Sequence, residues 1–103
     1  MKRFGAYLSV LGAVAVLLLA CQSQQQNVIR IGAAGPMTGD QSKMGIDLRN
    51  SVELAVAEWN QQGGVLGKKI EMLSGDDQAD PKQAVSVANK FINQKAAAVV
   101  GHW

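Results

Sequence analysis

Asp76, Asp77 and His102 carry the side chains with the most obvious chemical potential. Two neighbouring carboxylates can bind Mg²⁺ or act as acid and base, and a histidine can move protons. However, adjacent residues in a loop usually point apart, and acidic residues are common in loops because they stabilise turns and cap helices. No nucleophile, metal ligand or triad partner accompanies them in the sequence. The sequence therefore favours a turn-forming role for the acidic pair and a structural hydrogen bond for His102.

The glycine-rich loop after the first predicted strand raises the question of phosphate binding. A dinucleotide-binding fingerprint needs glycines at positions one, three and six, whereas Gly32, Gly35 and Gly39 are spaced three and four residues apart. A P-loop needs Lys and then Ser or Thr after its glycine, but Asp40 follows Gly39. The glycines are therefore expected to allow a tight strand-to-helix turn, and no nucleotide or other cofactor is expected.

The N-terminus has the pattern of an export signal. Lys2 and Arg3 precede the uncharged stretch Phe4–Ala20, which is rich in leucine and ends in a small residue directly before Cys21. This is the arrangement that lipoprotein signal peptidase recognises, so Cys21 is the predicted lipidation site. An ordinary cleaved signal and a transmembrane anchor are the alternatives, although the stretch is slightly short for a spanning helix.

This interpretation divides the chain and accounts for its charge. We assign residues 1–20 to the signal peptide, residues 21–27 to a lipidated polar tether, and residues 28–103 to the folded part. The chain has 10 Lys+Arg and 8 Asp+Glu, and the two basic residues of the signal account for the whole difference. A neutral folded part gives no electrostatic basis for binding nucleic acid. With 1 Cys and 1 His, neither an intramolecular disulfide nor a zinc cluster can form.

The folded part alternates strand and helix patterns in the order β-α-β-α-β. The predicted strands are Val28–Ala34, Lys69–Ser74 and Ala96–Gly101. The predicted helices are Ile46–Gln62, which Gly63 and Gly64 end, and a second helix that begins after Asp80. Such alternation implies a parallel sheet with right-handed crossovers, the start of a doubly wound α/β domain. The third strand is entirely apolar, which is typical of a buried parallel strand.

Each predicted helix has an apolar stripe at helical spacing. On the first helix the expected buried residues are Leu48, Val52, Ala55 and Trp59. On the second helix they are Ala84, Val85, Ala88, Phe91 and Ile92. Asp80 is the expected cap of the second helix, with Pro81 in the first helical position and Gln83 completing a capping box.

Ligands of open α/β sheets bind beyond the carboxyl ends of the strands. In this chain those ends are residues 35–45, 76–80 and 102–103. Trp103 falls at the end of the last strand, so its ring is a candidate for the wall of a pocket, with plain packing as the equal alternative.

The segment from Ile29 to Trp103 resembles the leucine/isoleucine/valine-type periplasmic binding proteins of ABC transporters. Four segments carry the resemblance, in the order and at the spacing of that family: Ile31–Gly39, Asn60–Ile70, Asp76–Val85 and Val99–Trp103. The resemblance covers only the first part of such a protein. It therefore implies a truncated N-terminal lobe of the periplasmic binding protein-like type I fold.

The resemblance also implies a function. Such proteins close two lobes over a small ligand, here an amino acid of the branched-chain type or an amide-like molecule, and deliver it to an ABC transporter permease. Met44 matches a position where relatives often carry an aromatic residue against the ligand, and Trp103 matches an apolar wall position. Gly45, beside Met44, is the third expected ligand contact. The protein would not be an enzyme. It would lie in the periplasm or cell envelope, anchored to the membrane by lipid on Cys21.

Two other functions compete with this one. An envelope lipoprotein would use the same lobe to regulate a cell-wall synthesis enzyme, and a missing ligand cleft would favour it. A small Rossmann-type enzyme would need nucleotide binding, which the failed glycine motifs disfavour.

Overall fold

The computed structural model describes Ser9, Val10, Gly12 and residues 28–102. The predicted lipidation site Cys21, the tether and Trp103 lie outside the described residues, as does most of the predicted signal peptide. Among the residues that the structure describes, no helix combines the length and the apolar character needed to cross a membrane. The division of the chain at residues 20 and 27 stays a prediction.

Residues 28–102 form strands and helices in the predicted order β-α-β-α-β. The strands are β1 (Val28–Gly35), β2 (Lys69–Asp76) and β3 (Ala98–Val100). The helices are α1 (Ser42–Gln61) and α2 (Pro81–Asn93). The predicted α/β class is therefore confirmed.

The strands form a parallel sheet with β1 at its centre, in the order β2-β1-β3. The register pairs Gly35 with Asp76 on one side of β1 and Ala33 with Val100 on the other. Both helical crossovers start from and return to parallel strands, and such connections are right-handed. Because the chain steps first to one side of β1 and then to the other, α1 and α2 cover opposite faces of the sheet.

The face covered by α2 is packed around the ring of Phe91, which is 1% exposed. Val87 and Ala34 are the other buried members of this cluster. Glycines on the two neighbouring strands leave room for the ring. A Cβ atom on Gly32 would lie 2.6 Å from the Phe91 Cε2 atom, and one on Gly75 would lie 3.0 Å from its Cζ atom.

The predicted buried stripes are only partly right. On α2, Val87 is buried although it was not predicted, whereas Val85 and Ile92 are 62% and 71% exposed. On α1, Val52 is buried as predicted, but Trp59 is 54% exposed. Helical periodicity gives the spacing of an apolar stripe. When apolar residues cover a wide part of the helix surface, this spacing does not decide which of them faces the sheet.

The third strand is shorter and more exposed than its apolar sequence predicts. Strand pairing covers Ala98–Val100 rather than Ala96–Gly101, and Val99 and Val100 are 43% and 42% exposed. A continuous apolar run is typical of a strand with neighbours on both sides. Within residues 28–102, however, β3 pairs along one edge, with β1.

The connection from α1 to β2 is closed by glycines and an asparagine. Gly63 and Gly64 have φ angles of 100° and 79°, and the Gly64 N–H donates to the carbonyl of Trp59 at 2.8 Å. This is the predicted glycine end of the helix. The Asn60 side chain donates to the carbonyl of Ile70 and accepts from its N–H, both at 2.8 Å. These bonds fix the start of β2 against the last turn of α1.

Candidate functional site

The carboxyl ends of the strands meet at one edge of the sheet, where ligands of open α/β sheets bind. There β1 leads into the loop 36–41, β2 leads into the loop 77–80, and β3 leads into Gly101 and His102. A cleft of about 300 Å³ opens among these segments. Its polar lining comes from Gln41, Asp77, Asp80 and His102.

Asp76 fastens the β1–α1 loop to the end of β2. Its Oδ1 atom accepts from the N–H groups of Met37 (2.8 Å) and Gln78 (3.0 Å), and its Oδ2 atom accepts from the Thr38 hydroxyl (2.7 Å). Desolvation alone would raise the pKa of Asp76. Hydrogen bonds from the Thr38 hydroxyl and from the N–H groups of Met37, Gln78 and Thr38 outweigh that effect, so the pKa is lowered. Asp76 is thus a structural carboxylate rather than a candidate base.

The Asp77 side chain points away from the β1–α1 loop and joins the β2–α2 loop to the end of β3. The residue is 3% exposed. Its Oδ1 atom accepts from the Ala79 N–H at 3.0 Å, and its Oδ2 atom lies 2.8 Å from Nδ1 of His102. Its own N–H donates to the Gly35 carbonyl at 3.1 Å. The adjacent carboxylates therefore point apart as predicted, and His102 makes the predicted structural hydrogen bond.

Asp80 caps α2 as predicted. Its Oδ1 atom accepts from the N–H groups of Lys82 (2.7 Å) and Gln83 (3.3 Å), and Pro81 occupies the first helical position. The predicted capping box is wrong in its second half. The Asp80 N–H donates to the Asp77 carbonyl at 2.9 Å, so it is already satisfied without the Gln83 side chain.

Met44 and Gly45 lie in the first turns of α1, next to the β1–α1 loop. The helix begins at Ser42, one turn before the predicted start. Gly45 is buried against this loop, and a Cβ atom there would overlap the carbonyl of Pro36. Met44 is 53% exposed. Both residues lie at the same edge as the cleft but do not line it, and Trp103, the third predicted ligand contact, lies outside the described residues.

The sequence did not single out Thr38 or Gln41 for this edge. Thr38 holds the loop through Asp76, and Gln41 lines the cleft. Their one available signal is that both follow a strand end, where neighbouring loops of a parallel sheet meet. No sequence pattern pairs Thr38 with Asp76, because the two residues are 38 positions apart.

The acidic residues of this edge are not arranged as a metal-binding set. The carboxylates of Asp76 and Asp77 accept from backbone N–H, hydroxyl and imidazole groups. Within the part of the chain that the structure describes, no three His, Cys, Asp or Glu side chains are grouped so that they could hold a metal ion.

The lowered pKa of Asp76 predicts a pH-dependent contribution to stability. This contribution is fully present above the ordinary carboxyl value of 3.8 and is lost as pH falls through the lower pKa of the folded state. Asp76→Asn should lower the free energy of unfolding by about 1–2 kcal/mol at pH 7, and by clearly less at pH 3. Urea unfolding at both pH values measures this.

Asp40→Asn, which changes an exposed carboxyl in the same β1–α1 loop, is the matched control and should have little effect at either pH. An Asp76→Asn effect that is equal at pH 3 and pH 7 would contradict the prediction.

Comparison with known proteins places this fold in a family. A family model described as "Periplasmic binding protein" matches residues 28–103. The chain is 47% identical to Leu/Ile/Val-binding protein homolog 2 of Brucella abortus (strain 2308), over 75 residues that cover 73% of this chain and 20% of that protein. The chain thus spans about a fifth of the length of the curated relatives it matches.

Solved structures agree with this placement. The branched-chain amino acid transporter substrate-binding protein LivJ of Streptococcus pneumoniae, in complex with isoleucine, has a TM-score of 0.68 and 34% identity, covering 73% of this chain and 22% of that chain. A fatty acid ABC transporter substrate-binding protein from Thermomonospora curvata has a TM-score of 0.66 and 33% identity, and the match covers 71% of this chain and 18% of that chain. With its parallel β-α-β-α-β order, the chain belongs to the periplasmic binding protein family, has the type I fold, and is similar to the leucine/isoleucine/valine-type members.

Proposed function

We propose that this chain forms part of an extracytoplasmic solute-binding protein of an ABC importer, and that its sheet edge forms one wall of the ligand cleft. The observation that carries the proposal is that side-chain hydrogen bonds connect the ends of the three strands, so that they form one surface. Asp76 ties the β1–α1 loop to β2, and Asp77 ties the end of β3 to the β2–α2 loop. A preorganised wall of this kind reduces the entropy lost on binding.

The proposed ligand is a small amino acid of the branched-chain type, with isoleucine as the first candidate. Isoleucine is the ligand in the pneumococcal structure, and the Brucella relative is named for Leu, Ile and Val. Met44 presents a half-exposed, flexible thioether at this edge, and such side chains adapt to apolar groups of different shape. Trp103 is proposed as a second apolar wall residue, and Gly45 as the close contact that lets α1 approach the loop.

The named ligand classes of the neighbours differ although the scaffold is shared. One neighbour is an amino-acid binder and another is described as a fatty acid transporter protein, at 34% and 33% identity to this chain. The shared fold therefore does not fix the ligand, and we expect individual side chains at the edge to do so. This makes Met44 the residue whose replacement is most informative.

Isothermal titration of the complete protein with isoleucine, leucine and valine tests this proposal. We expect saturable binding of at least one of them, and Met44→Ala should weaken it about tenfold because it removes apolar surface that the ligand would cover on binding. Leu54→Ala is the control, since Leu54 is a 63% exposed residue farther along α1. Absence of binding by all three amino acids, or equal affinity in the two variants, would contradict the proposal.

The proposed action is capture and presentation rather than catalysis. The two lobes of the complete protein would close over the ligand by a hinge movement and present it to a membrane permease. The acidic groups at the edge hold loops together, which supports a binding role over chemistry. The presence of a cleft also supports the importer over the envelope regulator considered above.

Lipid anchoring through Cys21 is proposed to hold the protein at the membrane beside its permease. The export pattern before Cys21 supports it, and stable attachment needs the several acyl chains of a mature lipoprotein. In cells fed labelled fatty acid, the wild type should incorporate label and Cys21→Ser should not. Ser23→Ala, in the adjoining tether, is the matched control and should be labelled normally. A wild type without label would refute the anchor.

A further inference from the structure

The hydrogen bond between Asp77 and His102 joins two loops that are separated in sequence by all of α2. The residues are 25 positions apart, and the Oδ2 and Nδ1 atoms lie 2.8 Å from each other. The Asp77 side chain is 5% exposed and that of His102 is 29% exposed. Both side chains line the cleft. The contact is part-buried, and breaking it would leave an oxygen of the buried carboxylate without its partner, which is costly.

The chemistry of the contact assigns the hydrogen to one ring nitrogen. A carboxylate oxygen accepts hydrogen bonds, so the contact calls for the His102 tautomer in which Nδ1 carries the hydrogen and donates to Asp77. The orientation of the carboxylate is set independently, because its Oδ1 atom accepts from the Ala79 N–H. The backbone of Asp77 is held as well, through its N–H bond to Gly35. His102 therefore docks on an acceptor that is already fixed in place.

The backbone before His102 is also constrained. Gly101 has a φ of 115°, a backbone angle that residues other than glycine rarely adopt. A Cβ atom on Gly101 would overlap the carbonyl of Ala34, so the chain passes directly against β1 as it leaves β3. The path out of the sheet is thus set by a close backbone approach at Gly101 and by a side-chain bond at His102.

We propose that Asp77 and His102 are positioning residues of the ligand site. The pair fixes the direction in which the chain leaves β3 and so holds the end of β3 against the β2–α2 loop at the cleft. This inference rests on the proposed binding function and deepens it. It assigns the histidine a role in ligand affinity that acts through the position of the β3 end, rather than a direct contact or a purely stabilising one.

Replacing His102 with two amides separates this role from simple packing. The amide nitrogen of Asn occupies about the place of Nδ1, whereas that of Gln occupies about the place of Nε2. In the complete protein, His102→Ala and His102→Gln should weaken isoleucine binding about tenfold. His102→Asn should bind within about threefold of the wild type, because the donor to Asp77 is restored. Equal affinity in all variants, or equal loss in the Asn and Gln variants, would overturn the proposal.

A second measurement does not depend on the ligand. Hydrogen exchange of residues 97–103 should be faster in His102→Ala than in the wild type and should return towards the wild-type rate in His102→Asn, while β2 is unchanged. Two-bond ¹⁵N–¹H spectra of the wild type should show a protonated Nδ1. Unchanged exchange, or a proton on Nε2 alone, would refute the positioning role. If the wild type fails to bind isoleucine, leucine and valine while these two results hold, the proposed function is wrong. The Asp77–His102 hydrogen bond would still be shown to position the end of β3.

Discussion

Replacing Phe91 with alanine is expected to lower the free energy of unfolding by about 3–5 kcal/mol, a large part of the stability of a typical domain. The ring is 1% exposed and packs between α2 and the sheet. The loss should lie high in this range because the sheet beneath the ring presents Gly32 and Gly75. Neither glycine has a side chain that could move into the cavity. Urea unfolding followed by circular dichroism measures the change.

A double-mutant cycle tests whether the glycines act by leaving room for the ring. In the wild type, Gly32→Ala should be destabilising, because its Cβ atom would lie 2.6 Å from the Phe91 ring. In the Phe91→Ala background, the same change should cost less or be stabilising, because the methyl group enters the cavity. Val85→Ala, on the exposed side of the same helix, should stay within about 0.5 kcal/mol of wild type. Additive Gly32 and Phe91 effects would contradict this packing account.

Gly45→Ala is expected to destabilise the protein, although alanine is the better helix former. In an exposed helix interior the change would gain about 1 kcal/mol from helix propensity. Here the new Cβ atom would overlap the backbone carbonyl of Pro36, and backbone gives way less easily than a flexible side chain. We expect a net loss of about 1–3 kcal/mol and weaker isoleucine binding, because α1 and its loop must separate.

Ala57→Gly calibrates the propensity term, since Ala57 is exposed on the same helix. It should cost about 1 kcal/mol and leave isoleucine affinity unchanged. A Gly45→Ala variant that is more stable than the wild type would show that the helix and the loop are not in close contact.

The order of the elements could be predicted because each depends on local signals. Gly63 and Gly64 mark the end of α1, and Asp80 with Pro81 marks the start of α2; the structure confirms both. The predicted start of α1 at Ile46 is wrong by one turn, because the helix begins at Ser42 and includes Gly45. A glycine in the first turns of a helix is favourable when another backbone segment lies against it, and that contact is tertiary.

The site was harder to predict than the fold. The sequence indicated that Asp76 and Asp77 belong to a turn and point apart, and that His102 makes a hydrogen bond. It could not show that Asp76 bonds with Thr38 or Asp77 with His102, because these pairs are 38 and 25 positions apart. Contacts of this kind depend on strand order and register, which local patterns do not contain.

Hydrogen exchange of the complete protein with and without isoleucine tests the central claim most directly, because it locates the bound ligand on the chain. Isoleucine should slow exchange at residues 36–45, 76–80 and 101–103, while exchange in α2 beyond its first turn and in the Val65–Lys68 turn should be unaffected. Binding that leaves these three segments unchanged and slows exchange only elsewhere would contradict the claim that this sheet edge forms a wall of the ligand cleft.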